Sequence, residues 1–257
     1  MASPRTFTAA VLGGTGNVGQ SLVRALLADA RVSRIVMFNR RSVPSYESEA
    51  RVHQVVLPAL SVAECAESAP QLEGVDALFI TLGVGAPSKL TRDEAGCAEL
   101  MRVDCQVPTA LARAAKQAGV RHVSLLTAAG SDIDSTYSWM TGCAAGGGWY
   151  RHVKGQVEAN IAALGLPETA IFRPAAIVGN SHLGGFGSWL FPKLDWMLPA
   201  KYCSCPQDDL AQAMVNHALQ RWAASASAPA GSAASPPEVI FAEGESLFAL
   251  ARGEPSQ

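Results

Sequence analysis

A glycine-rich turn near the N-terminus is the feature that most constrains the fold. The apolar residues 9–12 lead into Gly13, Gly14 and Gly16, and Gly19 lies near the start of the amphipathic segment that follows. Glycine lets a backbone turn tightly and approach a ligand closely. The N-terminus of a helix presents unpaired N–H groups and the positive end of its dipole to an anion. A strand, a glycine turn and a helix in this order therefore predict a pyrophosphate site.

The glycines fit two spacings of the dinucleotide-binding motif. Gly14, Gly16 and Gly19 match G-x-G-x-x-G, and Gly13, Gly16 and Gly19 match the wider G-x-x-G-x-x-G. The alternative is a plain tight turn, since glycines are common in loops. Its place in the first strand–helix unit of the chain favours the nucleotide interpretation.

Apolar runs and helical patterns alternate along the chain, which predicts an α/β fold. We expect a Rossmann-type, doubly wound parallel sheet with helices on both faces and a small C-terminal cap on the substrate side. The 257 residues suit one NAD(P)-binding domain spanning 1–257, with cap elements at about 179–207 and a flexible Ala/Ser/Pro linker at 223–237. Predicted strands lie at 7–11, 35–38, 52–57, 75–82, 122–127, 169–172 and 239–242, and predicted helices at 17–29, 61–69, 93–117, 149–164, 208–222 and 245–252.

Composition argues against several classes of partner. The net charge is -2 and 16% of residues are charged, so no basic face for nucleic acid is expected. No apolar run reaches about 18 residues and residues 1–8 lack a secretory apolar core, so we expect no membrane contact and a cytoplasmic location. The cysteines lack zinc-finger spacing, so no metal site is expected.

Two arginines follow the second predicted strand, where a dinucleotide site distinguishes its cofactors. An acid at this point would hold a ribose 2′-hydroxyl and select NAD. The chain has Asn39, Arg40 and Arg41 instead, and guanidinium groups are suited to binding a 2′-phosphate. The pattern favours NADP(H), and the alternative is a solvated basic turn.

The fourth predicted strand ends at Thr81, Leu82 and Gly83. The carboxyl end of such a strand lines the ligand crevice of a doubly wound sheet. A simple strand exit fits the same residues equally well.

Tyr150 and Lys154 form the second functional signal. Residues four apart share one face of a helix. A phenol has a pKa of about 10, and a neighbouring ammonium lowers that pKa by favouring phenolate. The pair therefore predicts a tyrosine acid/base tuned by Lys154, which can also reach the nicotinamide ribose.

Together these motifs resemble the short-chain dehydrogenase/reductase superfamily, in its extended or atypical branch. Within it the chain resembles the HIV Tat-interactive protein 2 group of NADP-binding oxidoreductase-like proteins. The resemblance spans about residues 7–220 and rests on residues 13–19, 38–41, 81–83, 102–104, 150–158 and 172–174. The resemblance implies that Tyr150 is the catalytic acid/base and that Lys154 is its partner. It also implies cofactor contacts from Tyr150, Lys154 and the following residues: Gly13, Thr15, Gly16, Asn17, Val18 and Gly19 at the pyrophosphate turn, Arg40 and Arg41 on the 2′-phosphate, Leu82 and Gly83 near the adenine, and Pro174 in the turn that passes the nicotinamide.

One departure from the superfamily concerns the serine that usually polarises the substrate carbonyl. Ala128 and Ala129 occupy the positions where it is expected. Thr127 is the candidate substitute and Ser131 a poorer one. Loss of a donor to a developing oxyanion costs about 10²–10³ in rate.

Three hypotheses follow. The first is an NADP(H)-dependent oxidoreductase that transfers a hydride between nicotinamide and a small carbonyl or alcohol. The alternative is a catalytically weak NADPH-binding sensor or scaffold that regulates a protein partner, which the absent serine favours. A weaker third is an isomerase or epimerase with tightly held NAD, against which Arg40 and Arg41 argue. The substrate and the oligomeric state stay open.

Overall fold

The computed structural model describes residues 5–84, 93–142, 146–179, 203–227 and 236–255. The strands are β1 (Phe7–Leu12), β2 (Val32–Asn39), β3 (Val52–Val56), β4 (Ala77–Ile80), β5 (His122–Leu126), β6 (Glu168–Phe172), β7 (Ile177–Val178), β8 (Cys205–Pro206) and β9 (Glu238–Ala242). The helices are α1 (Asn17–Ala28), α2 (Val62–Ala66), α3 (Glu94–Met101), α4 (Val107–Gln117), α5 (Gly148–Ala162), α6 (Gln207–Ser227) and α7 (Glu245–Ala251). Short 3₁₀ turns lie at Pro44–Tyr46 and Ala69–Leu72.

Seven strands form one parallel sheet in the order β3-β2-β1-β4-β5-β6-β9. Ala10 of β1 pairs with Val36 of β2 on one side and with Leu78 of β4 on the other. The direction of winding reverses between β1 and β4, and the carboxyl ends of these strands border the crevice where doubly wound folds bind ligands. The predicted Rossmann-type sheet is confirmed.

Helices cover both faces of the sheet because the strand side chains alternate between two apolar clusters. Leu12 faces the cluster that contains Leu111 of α4 and Ile161 of α5. Val11 faces the cluster that contains Leu22 of α1, together with side chains of α6 and α7. Both strand residues are fully buried. The glycine turn and α5 are thus attached to a rigid, doubly covered sheet.

The long predicted helix at 93–117 is divided by a π-helical turn. Helix α3 begins after Asp93, whose side chain accepts from the Gly96 N–H at 2.9 Å. The π turn then spans Arg102–Gln106, and α4 continues from Val107. Pro108 follows the π turn directly, and the Val107 N–H bonds to the Arg102 carbonyl oxygen, so the helical backbone continues through the proline. π turns often occur at functional sites.

The predicted linker and cap are only partly covered. Residues 223–227, predicted as linker, continue α6, because their alanines favour a helix. Residues 228–235 and most of the predicted cap, 180–202, lie outside the described residues. At the edges of the cap β7 pairs with β8. Membership of all 257 residues in a single domain stays a prediction.

No helix in the described ranges has the length and apolar character that crossing a bilayer requires.

Candidate functional site

The turn after β1 requires glycine at two positions for steric reasons. Gly13 has φ +92°, and a Cβ there would lie 2.6 Å from the Leu82 nitrogen. A Cβ on Gly19 would lie 2.0 Å from the carbonyl oxygen of Gly13. The Gly16 N–H donates to that same oxygen at 3.0 Å and closes the turn. The turn therefore packs directly against the chain leaving β4, at the point where the winding reverses.

The N-terminus of α1 is open to an anion. Gly16 is the N-cap residue, no side chain in the described part of the chain caps the helix, and its first turn holds no acid. Thr15 and Gly16 are exposed, whereas Val18 is buried in the apolar cluster. Of these residues, Val18 can therefore meet a ligand only through its backbone. An uncapped helix beside a glycine cradle fits the pyrophosphate of a dinucleotide.

Arg40 and Arg41 follow β2, whose Phe38 pairs with Leu12 of β1. They therefore leave the sheet at the same edge as the glycine turn. Both are exposed, and neither has a hydrogen bond or an ion pair to a described residue. The two guanidinium groups are thus available to a phosphate at this edge.

The exit of β4 joins the glycine turn to a buried carboxylate. The Thr81 hydroxyl lies 3.3 Å from the carbonyl oxygens of Leu12 and Gly13. A Cβ on Gly83 would lie 3.4 Å from Asp104 Oδ2, and the Val84 N–H donates to Asp104 Oδ1 at 2.9 Å. This exit therefore does more than end a strand, since it links the cofactor crevice to the π turn.

The same carboxylate holds Lys154. Lys154 Nζ lies 2.9 Å from Asp104 Oδ2, and the side chains are only 6% and 2% exposed. Lys154 Nζ also lies 5.7 Å from the centre of the Tyr150 ring. The predicted pair is thus together on α5, and the structure adds a third ionisable member.

Burial and Asp104 reverse the expected effect on Tyr150. Burial raises the pKa of Tyr150; Lys154 acts to lower it, while Asp104 adds to the increase, so the net pKa lies above its usual value. Burial alone would lower the pKa of Lys154, but Asp104 and then Tyr150 hold it above its usual value. Lys154 is therefore an ammonium whose charge is largely neutralised by Asp104.

Thr127, the candidate substitute for the usual serine, is engaged elsewhere. Its hydroxyl donates to Glu158 Oε1 at 2.6 Å, and Glu158 is also bound by Arg173 through two nitrogens. The Ser131 hydroxyl donates to the Ala128 carbonyl oxygen at 2.7 Å. The polarising role of Thr127 stays a prediction, and this contact argues against it.

Pro174 lies beside the end of β5. Its carbonyl oxygen accepts from the Ala129 N–H at 2.8 Å, and the Phe172 carbonyl oxygen accepts from the Thr127 N–H at 2.9 Å. Together with the pair of Glu158 and Arg173, these bonds fix the two strand ends that border the predicted nicotinamide position. Pro174 itself is buried.

The loop before α5 is held against that helix and presents apolar side chains. A Cβ on Gly155 would lie 2.3 Å from the Ile133 nitrogen, so the loop reaches helix backbone directly. The carbonyl oxygen of Ile133 also lies 2.6 Å from His152 Nδ1. Trp139 and Met140 remain 78% and 65% exposed. The loop that packs on α5 therefore carries exposed apolar side chains.

Asp104 and Glu158 were given no role by the motifs, although both lie within stretches that carry the resemblance. The available signal is periodicity: Leu100, Asp104 and Leu111 lie on one buried helical stripe. Glu158 likewise follows Lys154 by one turn. A carboxylate on an apolar stripe needs a buried partner. Metal ligation does not explain them, since the described residues contain no cluster of three or more His, Cys, Asp or Glu that could hold an ion.

Comparisons with known proteins agree with this geometry. A family model described as NAD(P)H-binding matches residues 13–220. Protein HTATIP2 of Rattus norvegicus is 29% identical over 210 residues, covering 80% of this chain and 79% of the relative. Protein FMP52, mitochondrial, of Candida glabrata is 31% identical over 190 residues, covering 73% of this chain and 72% of the relative.

Solved structures share the fold. BdcA in complex with NADPH has a TM-score of 0.62 at 14% identity, covering 82% of this chain and 86% of that chain. DesIV, a dTDP-glucose 4,6-dehydratase from Streptomyces venezuelae with NAD and TYD bound, has a TM-score of 0.59 at 19% identity, covering 91% of this chain and 75% of that chain. Both cofactor types therefore occur on this fold.

The expected cytoplasmic location is wrong. Relatives from Emericella nidulans, Candida glabrata and Eremothecium gossypii are named mitochondrial proteins, and they point to that compartment instead. The apolar-run argument does not address organelle import, so it could not have distinguished the two locations.

The family model covers the glycine turn, Arg40 and Arg41, the Tyr150–Lys154 pair and Pro174. The predicted resemblance is confirmed, and the chain belongs to the family of NAD(P)H-binding proteins with a short-chain dehydrogenase/reductase-type fold.

Proposed function

We propose that the protein is an NADP(H)-dependent oxidoreductase acting on a small carbonyl or alcohol. One observation carries the proposal: a continuous series of close approaches joins the two halves of the site. Gly13 packs on Leu82, the following Val84 N–H binds Asp104, and Asp104 binds Lys154 beneath Tyr150. A dinucleotide crevice and an acid/base pair are thus built as one unit.

Arg40 and Arg41 support the choice of NADP(H). They are exposed and leave the sheet beside the glycine turn, and the charge of Arg40 also acts on Glu99 of α3. A 2′-phosphate would gain charge-assisted hydrogen bonds from either guanidinium. Gly13, Gly16 and Gly19 would cradle the pyrophosphate, with Thr15, Asn17 and the Val18 backbone at the helix start. Leu82 and Gly83 would lie near the adenine, and Pro174 beside the nicotinamide.

The bound nicotinamide supplies or accepts the hydride. In the reducing direction the Tyr150 hydroxyl donates its proton to the carbonyl oxygen, and Lys154 stabilises the resulting phenolate charge. The raised pKa of Tyr150 keeps the phenol protonated at neutral pH but makes it a weaker acid, so proton donation relies on the favourable charge of Lys154. Thr127 remains the candidate for polarising the carbonyl, provided that its hydroxyl can leave Glu158.

The experiment is NADPH oxidation, followed by absorbance, across a panel of small aldehydes and ketones. Tyr150→Phe should lower kcat by about 10²–10⁴-fold because it removes the proton donor. Tyr46→Phe is the matched control, since Tyr46 lies in the Pro44–Tyr46 turn outside the site. Equal rates for wild type and Tyr150→Phe would refute the role of the tyrosine.

The second candidate is an NADPH-binding sensor or scaffold for a protein partner. The hydroxyls of Thr127 and Ser131 both donate within the protein, which leaves the substrate oxygen without an evident second donor. Tight NADPH binding with no turnover of any carbonyl would favour this candidate. A change in hydrogen exchange of the loop 130–142 on NADPH binding would then identify the surface that responds.

An epimerase with tightly held NAD is the third candidate, because a neighbouring solved structure is a UDP-glucuronic acid 4-epimerase with NAD. Comparison of NADPH and NADH dissociation constants separates it from the first. A preference for NADPH supports the oxidoreductase, whereas NAD that copurifies with the protein supports the epimerase.

A further inference from the structure

We propose that Cys97 of α3 is one half of a thiol–disulfide switch, which responds to a small thiol such as glutathione and adjusts the affinity for NADPH. The inference goes beyond the proposed function, and it holds whether or not the protein transfers a hydride. It concerns a covalent bond beside the candidate site that none of the sequence motifs assigns.

The first observation is that Cys97 is disulfide-bonded. Four of the other cysteines are free thiols: Cys65, Cys105, Cys203 and Cys205. The sequence contains six cysteines, so Cys143 is the remaining partner within the chain. Residues 143–145 lie outside the described residues, and the pairing therefore follows from the count of cysteines.

The second observation is the place of Cys97 beside both halves of the candidate site. Its carbonyl oxygen accepts from the Trp149 Nε1–H at 3.2 Å, in the first turn of α5. Cys97 also packs on the same apolar cluster as Leu82 and Val84 of the β4 exit and as Tyr150. A bond at Cys97 therefore acts on a helix that contacts α5 and lies near the predicted cofactor crevice.

The third observation is that the sequence keeps the two cysteines within reach of each other. Gly148 begins α5, one residue before the tryptophan that contacts Cys97. Cys143 precedes Gly148 by five positions, and five residues span at most about 18 Å. The second thiol is thus tethered to the helix start that α3 already touches, which suits a cross-link between α3 and the segment before α5.

Burial confines oxidation to this pair of cysteines. It raises the pKa of the Cys65 thiol to about 11 and that of Cys205 to about 12, and it also raises the pKa of Cys105. The thiolate is the form that attacks a disulfide, so these three thiols exchange slowly. Cys97 is only half-buried, and accessible disulfides are the ones that small thiols reduce.

The exchange balances with glutathione disulfide as the oxidant. One thiolate of the pair attacks it, displaces a glutathione thiolate and leaves a mixed disulfide. The second thiolate then attacks the protein sulfur of that mixed disulfide, which forms the Cys97 bond and releases the second glutathione. The protein loses two electrons and two protons, and one glutathione disulfide becomes two glutathione thiols. Excess glutathione reverses both steps.

The bond should tighten NADPH binding. It restricts α3, which packs with the β4 exit where Leu82 and Gly83 are predicted to meet the adenine. Ordering that the disulfide has already supplied does not have to come from the cofactor. We expect the oxidised protein to bind NADPH about 5-fold more tightly than the reduced protein, at the low end of the usual coupling between two sites.

The first experiment measures the state of Cys97 in glutathione buffers. The protein is equilibrated at a series of ratios of glutathione to glutathione disulfide, quenched with acid, alkylated and digested for mass spectrometry. We expect peptides cross-linked through Cys97 and Cys143 at high glutathione disulfide, and both cysteines alkylated at high glutathione. Alkylation of Cys97 at every ratio, its cross-linking to a different cysteine, or a bond that resists a large excess of glutathione would overturn the switch.

The second experiment measures the NADPH dissociation constant of oxidised and reduced protein. Cys97→Ser should bind like reduced wild type in both buffers. Cys203→Ser is the matched control, because it removes a half-buried free thiol, and it should respond to oxidation like wild type. Equal affinities of oxidised and reduced wild type would overturn the effect on cofactor binding, and this comparison needs no substitution that could impair folding.

Neither experiment uses turnover. Absence of carbonyl reduction would refute the proposed oxidoreductase and leave both readouts as expected. Conversely, turnover that depends on Tyr150 together with an unresponsive Cys97 would refute the switch alone.

Discussion

Buried His217 of α6 should make the protein lose stability below neutral pH. Its side chain is 3% exposed, and its Nδ1 has no hydrogen-bond partner among the described residues. Burial, with smaller contributions from His122 and Arg221, lowers the pKa of His217 from 6.5 to about 3. A histidine with a lowered pKa in the folded state contributes stability above its unfolded pKa. That contribution is lost as the pH falls from 6.5 towards 3, because the unfolded chain takes up the proton and the folded chain does not.

The magnitude follows from the two pKa values. The value pH 5 lies about 1.5 units below the pKa of the imidazole in the unfolded chain, and each unit corresponds to about 1.4 kcal/mol of stability. The free energy of unfolding should therefore fall by about 2 kcal/mol between pH 7 and pH 5. Glu168, which faces His122 across the sheet end, has a lowered pKa and so acts mainly below this interval.

Urea denaturation at pH 7, 6 and 5 measures the effect. His217→Gln should abolish most of the decline, while the control His53→Gln, on the exposed side of β3, should keep it. A decline of the same size in wild type and His217→Gln would refute the reasoning.

Three further changes test the site. Gly19→Ala should lower the free energy of unfolding, measured by urea denaturation, towards the upper end of about 1–3 kcal/mol, because its Cβ would meet the Gly13 carbonyl oxygen. Gly16→Ala should lower it far less, because the closest atom to its Cβ would be 3.4 Å away. Replacing Arg40 and Arg41 together by Ala should weaken NADPH binding by about 10-fold or more and leave NADH binding nearly unchanged in titration calorimetry; an equal loss for both cofactors would argue against 2′-phosphate recognition. Thr127→Val should lower the free energy of unfolding by about 2 kcal/mol, whereas Thr127→Ser should keep most of it; an unchanged stability with lost turnover would instead favour a role at the substrate.

Local chemistry made one half of the site predictable from sequence. The positive φ of Gly13 and the contact of Gly19 with Gly13 are set within a turn of a few residues, so spacing could indicate them, whereas the contact of Gly13 with Leu82 could not be read from spacing. Tyr150 and Lys154 share a helix face for the same local reason. The parallel, doubly wound character of the sheet also followed from the alternation of strands and helices, because parallel strands require crossovers.

The other half depends on contacts between distant segments. Asp104 meets Lys154 although the two residues are 50 positions apart in the chain, and no spacing rule connects them. The engagement of Thr127 by Glu158 joins β5 to α5 in the same way. The expected lowering of the Tyr150 pKa failed because it considered Lys154 without burial and without the carboxylate behind it. Electrostatics of a buried group can be assigned only when all of its neighbours are known.

Strand β9, the last strand of the sheet, should open locally more easily than the central strands. Within the described ranges, strand β9 pairs only with β6 and leaves Val239 and Phe241 37% and 47% exposed, whereas β1 has partners on both sides and is almost entirely buried. Native-state hydrogen exchange should therefore release the amides of β9 long before those of β1. When β9 detaches, the backbone edge of β6 becomes free, next to the fully buried Ala170 and Phe172. A chain shortened before residue 238 would expose the unpaired backbone N–H and C=O groups of β6 permanently. Strand β9 therefore protects the protein from self-association by strand pairing.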